Sequence, residues 1–385
     1  MEHQEDDPAN LLLAAGKYPG VPIREVAAQI KARQKAKNKI PSWYQDSAII
    51  FPPALSMEQC SSESTAKLKS EWLKGDKLVD LTGGAGVDTY FLSRRFNQTC
   101  YVEKNPALSL LAKHNFARLQ AAHIQVHTAD ALDFLKRNKH PVDWIYIDPA
   151  RRNEANTKVF RLSDCQPDVT KIQETLFQHT DNVLVKTSPM LDIKMAVKEL
   201  GQVRKIYVVA VKNEVKEVLY ALCRGHESSP DIEALNVLSS GEKDSFSFNS
   251  NGESAARMSL DYPQEYLYEP NAAILKAGGF RIIGEYFNLS KLHQHSHLFT
   301  SNDYVENFPG RKFKILAVCK YDKKEIQAQI ADRKANITTR NFPYSVDVIR
   351  KKTRLKPGGD TYVFATTNMD RRLILLVCNK ISPVN

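Results

Sequence analysis

The sequence predicts an α/β protein. A doubly wound, mostly parallel sheet ends in an antiparallel hairpin; a helical region precedes it and small α+β units follow. Three observations carry this. Between residues 76 and 222, short apolar runs alternate with helical stretches, the pattern of a parallel sheet covered by crossover helices. At the end of that stretch, KIYVVAVKN and EVKEVLYALC follow each other with only a short turn between them. Two strands without an intervening helix must pair antiparallel. After the hydrophilic residues 225–231 the texture changes to short strands and short helices.

The elements read in order as follows. Residues 24–39 have helix-forming composition, with Val26, Ile30 and several alanines for a buried stripe, and Pro41 ends the helix. The segment PSWYQDSAIIFPPALS reads as extended and proline-broken, with Trp43 and Tyr44 as core rather than base-stacking residues. Ser62, followed by Glu63, is a good N-cap for a helix through Leu68 and Trp72. KLVDL, TCYVEK, IQVH, VDWIYID and NVLVKTS are strands, with helices at 108–120 and 192–200 among the connections. Further on, IEALNVLSS and SFSFNS read as strands of a small sheet, and AAILKAGGF as a short helix ended by glycines. From Arg311 the order is strand (FKILAVCKY), helix (324–334), strand (NITTRNFP), helix (345–352) and two strands (TYVFATT, RLILLVCN). This divides the 385 residues into a helical region 1–70, a central α/β domain 71–223, a small α+β linking region 224–310 and a terminal α+β domain 311–385.

Composition narrows the function class. At 42% hydrophobic and 25% charged residues, the chain can bury real cores. Its formal charge is +10, with a pI near 9.1, and that charge is concentrated. Residues 311–356 hold fourteen Lys and Arg against four Asp and Glu, a net +10, and residues 24–39 add a net +5. The remainder is mildly acidic. Two basic flanks around such a core point to a polyanionic partner. The six cysteines are scattered without a C-x-x-C pair, which argues against a disulfide framework or a cysteine zinc site. The start is acidic, and no run approaches a membrane span, so a cytoplasmic protein without a membrane partner is expected. His293, His295 and His297 alternate in HQHSH, but no carboxylate or cysteine nearby completes a metal set. An exposed loop without metal is expected there.

The strongest motif is VDLTGGAGVDT, residues 79–89. A strand ends in Asp80, and Thr82, Gly83, Gly84 and Gly86 form a tight turn into a helix, as loops that cradle a ligand do. The dinucleotide pattern G-x-G-x-x-G fails at its third glycine, where Thr89 stands. An Asp four residues before G-x-G suits a ligand carrying an ammonium group. The second strand ends in Glu103, followed by Lys104, where a carboxylate can accept from both ribose hydroxyls. After the third strand come Asp130 and Ala131; Asp130 can hold an adenine amino group or simply cap the next helix. The fourth strand leads into Asp148-Pro149-Ala150-Arg151-Arg152, at the open end of the sheet where ligands bind.

Together DLTGGAG, YVEKN, ADALDF and DPARR resemble the motifs of class I S-adenosylmethionine-dependent methyltransferases, over about residues 60–222. QCSSESTAKLKS resembles the helix before the first strand in nucleic-acid members such as cap-hypermethylating enzymes. The whole chain is similar to a bacterial group with a THUMP-like C-terminal domain, whose closing motifs look like YEPNAAILKAG and NFPYSVDVIRKKTRLKPGGDTYVFAT here. The resemblance implies a Rossmann-like methyltransferase sheet, ferredoxin-like and THUMP-like units, and S-adenosyl-L-methionine as cofactor. It places that cofactor on Asp80, Thr82, Gly83, Gly84, Gly86, Glu103, Lys104, Asp130, Ala131 and Asp148. THUMP domains being RNA-binding modules, it also implies an RNA substrate, tRNA or rRNA.

The fourth-strand motif limits the reaction. Enzymes that methylate exocyclic amines of bases usually carry [DN]-P-P-[YFW]. Asp148 and Pro149 are kept here, while the second proline and the aromatic are replaced by Ala150 and Arg151. A guanidinium can stack on a base or clamp a phosphate. C5 methylation of cytosine needs a cysteine nucleophile, and DPARR has none. Transfer to a base nitrogen needs positioning and removal of a proton. Asp148 is the candidate for orienting the acceptor, with Pro149 and Arg151 beside it; Arg151, Arg152 and Lys186 are candidate substrate contacts. The alternatives are a methyltransferase for DNA, protein or a small molecule, and a nucleic-acid-binding protein that keeps the fold without turnover.

Overall fold

The apolar runs of the first two hundred residues form strands in the expected places. In the computed structural model, residues 5–151 and 161–381 are described. The chain forms two units, Met1–Arg204 with Val218–Ser228, and Lys205–Glu217 with Ser229–Asn385.

In the first unit, helix α1 (Ile23–Lys39) buries Ala27, Ile30, Ala32 and Ala36 on one face. Its alanines join Trp43, Phe51, Met57, Val87 and Phe91 in one cluster. The segment expected to be extended contains two short helices, Pro41–Tyr44 and Ala54–Gln59. Pro41 occupies the first turn of one and Pro53 caps the other. At those positions the missing N–H costs nothing and the fixed φ favours a helix start. Trp43 is buried against Tyr90, with ring centroids 5.6 Å apart. Helix α2 (Glu63–Trp72) begins as expected, with the Ser62 side chain accepting from the Thr65 amide.

The sheet follows, with strands β1 (Lys77–Asp80), β2 (Gln98–Glu103), β3 (Ile124–Thr128), β4 (Trp144–Ile147) and β5 (Asn182–Thr187). The covering helices are α3 (Val87–Ser93), α4 (Pro106–Arg118), α5 (Ala131–Arg137), α6 (Val169–Phe177) and α7 (Ile193–Leu200). Asn105, Asp130, Asp168 and Asp192 cap α4 to α7 with their side chains, each worth about 1 kcal/mol over alanine. After β6 (Val203–Val211) comes β7 (Glu214–Cys223), whose second half lies antiparallel to β5 with Val183 opposite Leu222. The order is β7-β5-β4-β1-β2-β3, with β1 to β5 parallel. The order therefore reverses between β1 and β4, the switch point at which such sheets open a ligand crevice.

In the second unit, Lys212 and Asn213 both have positive φ, 52° and 63°, the signature of the two-residue turn that joins β6 to β7. Strands β8 (Asp231–Val237) and β9 (Lys243–Asn249) do not build a separate small sheet as expected. Strand β8 runs parallel to β6, Ile232 opposite Ile206, and β9 pairs with β8. The apolar β6 offers Ile206, Val208 and Val209, and β8 buries Ile232, Ala234 and Leu235 beside it. Then come β10 (Tyr266–Pro270), α8 (Ala272–Ala277, ended by Gly278 at φ 81°), β11 (Phe299–Ser301), β12 (Gly310–Lys320), α9 (Lys323–Gln329), β13 (Asn336–Arg340), α10 (Val346–Thr353), β14 (Thr361–Thr367) and β15 (Leu373–Lys380). With Ser290–Lys291 at one edge, these strands form a seven-stranded sheet in the order β11-β10-β12-β15-β14-β13. Helix α9 is shorter than expected. Ile330 leaves it in extended conformation and is buried with Ala335 and Ile349 under the sheet.

The histidine-rich stretch is not the exposed loop expected. Leu292 and Leu298 on either side are fully buried and draw it onto the sheet. His293 is buried and paired with Asn341 at 2.9 Å, and His297 stacks on Phe280 with ring centroids 3.8 Å apart. Among the described residues, no helix is long and apolar enough to cross a membrane.

Candidate functional site

The glycine loop sits at the C-terminal end of β1, and packing dictates its composition. A Cβ on Gly83 would lie 2.2 Å from the Tyr101 ring, and Gly86 has φ 78°, a region that side chains disfavour. The Tyr101 hydroxyl donates to the Gly84 carbonyl at 2.7 Å; burial pushes this phenol well above its usual range. The Gly84 position itself is open: only the Thr82 carbonyl oxygen, at 3.7 Å, would meet a Cβ there.

Three carboxylates lie at the ends of the three neighbouring strands. Asp80 is buried; it accepts from the Thr82 amide at 3.0 Å and the Thr89 hydroxyl at 2.6 Å. Burial raises its carboxyl to about 7 despite those bonds, with Asp88 and Asp148 adding to the rise. Glu103, half-buried, accepts from the Gly84 amide at 3.0 Å and the Asn105 amide at 2.8 Å. Asp130 is exposed and caps α5, accepting from the Leu132 amide at 2.9 Å. Ala131 is buried and Lys104 exposed. These acids only accept hydrogen bonds when ionised. As a set beside an open glycine turn they fit a ligand with an ammonium group, a ribose diol and an amino-purine.

The loop is tied to the fourth strand, since the Asp148 amide donates to the Thr82 hydroxyl at 2.6 Å. Asp148 follows β4 directly, and its side chain is 32% exposed. Lys186, near the end of β5, is buried rather than facing solvent. Its ammonium hydrogen-bonds the Asp148 carboxylate, contacts the Ser61 hydroxyl at 3.1 Å and lies 3.5 Å from Asp88. Behind it, Lys69 of α2, fully buried, pairs with Asp88 at 3.1 Å. Burial alone would raise Asp88, but Lys69 and Lys186 overcome it and hold the carboxyl well below its usual range. Sequence reasoning did not single out Ser61, Lys69 or Asp88. The available signal was their place in the motifs: Ser61 and Lys69 in QCSSESTAKLKS, Asp88 directly after the glycines. Past Pro149, Ala150–Arg151 pairs antiparallel with Cys165–Gln166. Arg152 and the Arg151 side chain lie outside what is described.

The conserved hypothetical protein 95 family matches residues 63–206, a ferredoxin-like domain matches 266–309 and a THUMP domain-like family matches 310–380. A Porphyromonas gingivalis W83 protein of known crystal structure, itself proposed to be a methyltransferase, is 32% identical with a TM-score of 0.89, over 99% of this chain and 96% of that one. The chain belongs to that family, the S-adenosylmethionine-dependent methyltransferases with a C-terminal THUMP-like domain. A curated relative of this methyltransferase, ribosomal RNA small subunit methyltransferase J of Bdellovibrio bacteriovorus, is 40% identical over 78 residues. The matched segment is 19% of this chain and 31% of that protein.

Proposed function

We propose that this methyltransferase transfers a methyl group to RNA, at a base nitrogen of tRNA or rRNA, with Asp148 orienting the acceptor. The observation that carries the reading is the Asp148 carboxylate at the switch point of the sheet. Lys186 holds one of its oxygens; the other makes no hydrogen bond among the described residues and is left for an acceptor at the open end of the strands. The THUMP-like match and the ribosomal RNA enzyme among the relatives support RNA as the substrate, as does the net +10 of residues 311–356.

S-adenosylmethionine, when bound, supplies an electrophilic methyl on a sulfonium sulfur. Asp80, Glu103 and Asp130 would hold its ammonium, ribose and adenine ends. The chain's own part is positioning. Asp148 Oδ1 accepts a hydrogen bond from the acceptor amine, which turns the nitrogen lone pair toward the methyl. The same oxygen takes up the proton that the amine releases and passes it to solvent, which reaches this partly exposed carboxylate. Lys186, hydrogen-bonded to the other oxygen, fixes the carboxylate in direction.

The test is transfer of tritiated methyl from S-adenosylmethionine to RNA from a strain lacking the gene, using the full-length protein. Label on RNA, in a methylated base, and its loss in Asp148→Ala are expected. Label only on DNA or protein, or cofactor binding without transfer, would overturn the proposal.

A further inference from the structure

We propose that Lys69 and Asp88 form a positioning relay that fixes Lys186 against Asp148, and so sets the direction of the carboxylate offered to the methyl acceptor. The inference rests on the reading of Asp148 as the acceptor-orienting group and adds the residues that hold it in place.

The relay draws on four elements and the turn before α2. Lys69 comes from α2, Asp88 from α3, Tyr146 from β4 and Lys186 from β5, with Ser61 between them. The Ser61 hydroxyl accepts from Lys69 at 3.0 Å and from Lys186 at 3.1 Å, and donates to Asp88 at 2.8 Å. With two bonds accepted and one donated, its capacity is full. Asp88 also accepts from the Tyr146 hydroxyl at 2.7 Å. The side chains of Lys69, Lys186 and Asp88 are 0%, 9% and 11% exposed. Asp148, at 32%, is the most exposed of the four. The relay thus runs from a sealed interior to one exposed carboxylate.

Charge balance gives the relay its action. Among the described residues, the Lys69 and Lys186 ammoniums face the Asp88 and Asp148 carboxylates. Each buried ion costs several kcal/mol unless it is partnered, so the four are held as a set. Lys69 neutralises Asp88, which leaves the Lys186 ammonium for Asp148. Without Lys69, Lys186 must serve two carboxylates, and the more deeply buried Asp88 has the stronger demand. Among the described residues, Asp80 of β1, Tyr146 and the Cys60 thiol also face the cluster, and Lys39 acts on the Cys60 thiol.

The test follows the carboxyl carbon resonance of Asp148, assigned by its loss in Asp148→Asn, against pH in the full-length protein. Lys69→Met should move its midpoint to higher pH by about one unit, the scale of a neighbouring charge. Asp88→Asn should move it to lower pH. The charge-balanced double variant Lys69→Met/Asp88→Asn should return it to the wild-type position, and Lys69→Arg should leave it there. The acid limb of the pH–rate profile, read on RNA from a strain lacking the gene, should move the same way. Unmoved midpoints in single variants that melt cooperatively and bind cofactor would overturn the relay and leave the pair a purely structural role. If the single variants do not fold, a double variant that folds but fails to restore the midpoint overturns it equally. Absence of methyl transfer by the wild type would instead overturn the proposed function, and the resonance would still judge the relay.

Discussion

Lys186 holds Asp148. The ammonium near the end of β5 hydrogen-bonds the carboxylate just past the neighbouring strand β4, and Asp88 stands 3.5 Å behind that ammonium. A candidate acceptor-binding carboxylate is thereby tied to a buried charge. Removing that charge with Lys186→Met should lower kcat about 100-fold, on the scale of removing an acid–base or orienting group. Cofactor affinity should change little, because Asp80 and Glu103 lie on other strands. Single-turnover rates and calorimetric cofactor titration separate the two effects.

Glu103 accepts from the Gly84 amide, so it both shapes the glycine loop and presents a carboxylate at its rim. Glu103→Ala removes charge-assisted hydrogen bonds worth about 1.5–3 kcal/mol each. S-adenosylhomocysteine should bind at least about 10-fold more weakly, with the cooperative melting transition retained. Binding as tight as wild type would remove Glu103 from the cofactor site.

Asp80 makes stability depend on pH. Its carboxyl titrates near 7 in the fold against a reference of 3.8. Below about pH 4 both folded and unfolded chains carry the proton, and burial of Asp80 costs little. As pH rises from 4 to 7 the unfolded chain loses its proton first, so this contribution to stability declines, and it is lost above 7. Asp80→Asn has no such proton to lose. Its melting temperature relative to wild type should rise between pH 4 and 7 and level off above that. A difference that is constant across this range would contradict the assignment.

Basic residues of the THUMP-like domain should govern RNA affinity through phosphate. Lys351 and Arg354 are exposed at the end of α10. Replacing both by alanine should weaken RNA binding. It should also lower the slope of log affinity against log salt by about 1 for each phosphate no longer neutralised. Filter binding across a salt series reads both. An unchanged slope would place the RNA elsewhere.

Much of this was legible in the sequence, because the signals were local. Strand ends at Asp80 and Glu103, the glycine turn, and the Ser62 and Asp130 caps all follow from neighbours within a few positions. The Pro41–Tyr44 and Ala54–Gln59 helices were not legible. They span four and six residues, too short for a periodic stripe, and their prolines start helices rather than break them. The partnering of β8 with β6 depends on which edge is free, which no local pattern states. The Lys69–Asp88–Lys186 cluster was hidden for the same reason. Each member looks like an ordinary helix or strand residue until residues 61, 69, 88 and 186 are brought together by the fold.

If Asp148 orients an RNA acceptor for methyl transfer, the RNA nucleosides carry the record, read by mass spectrometry in cells with the gene, without it, and without it but carrying Asp148→Ala. One methylated nucleoside should disappear without the gene, return with the wild-type copy and not return with Asp148→Ala. Identical nucleoside profiles with and without the gene, or full restoration by Asp148→Ala, would contradict it.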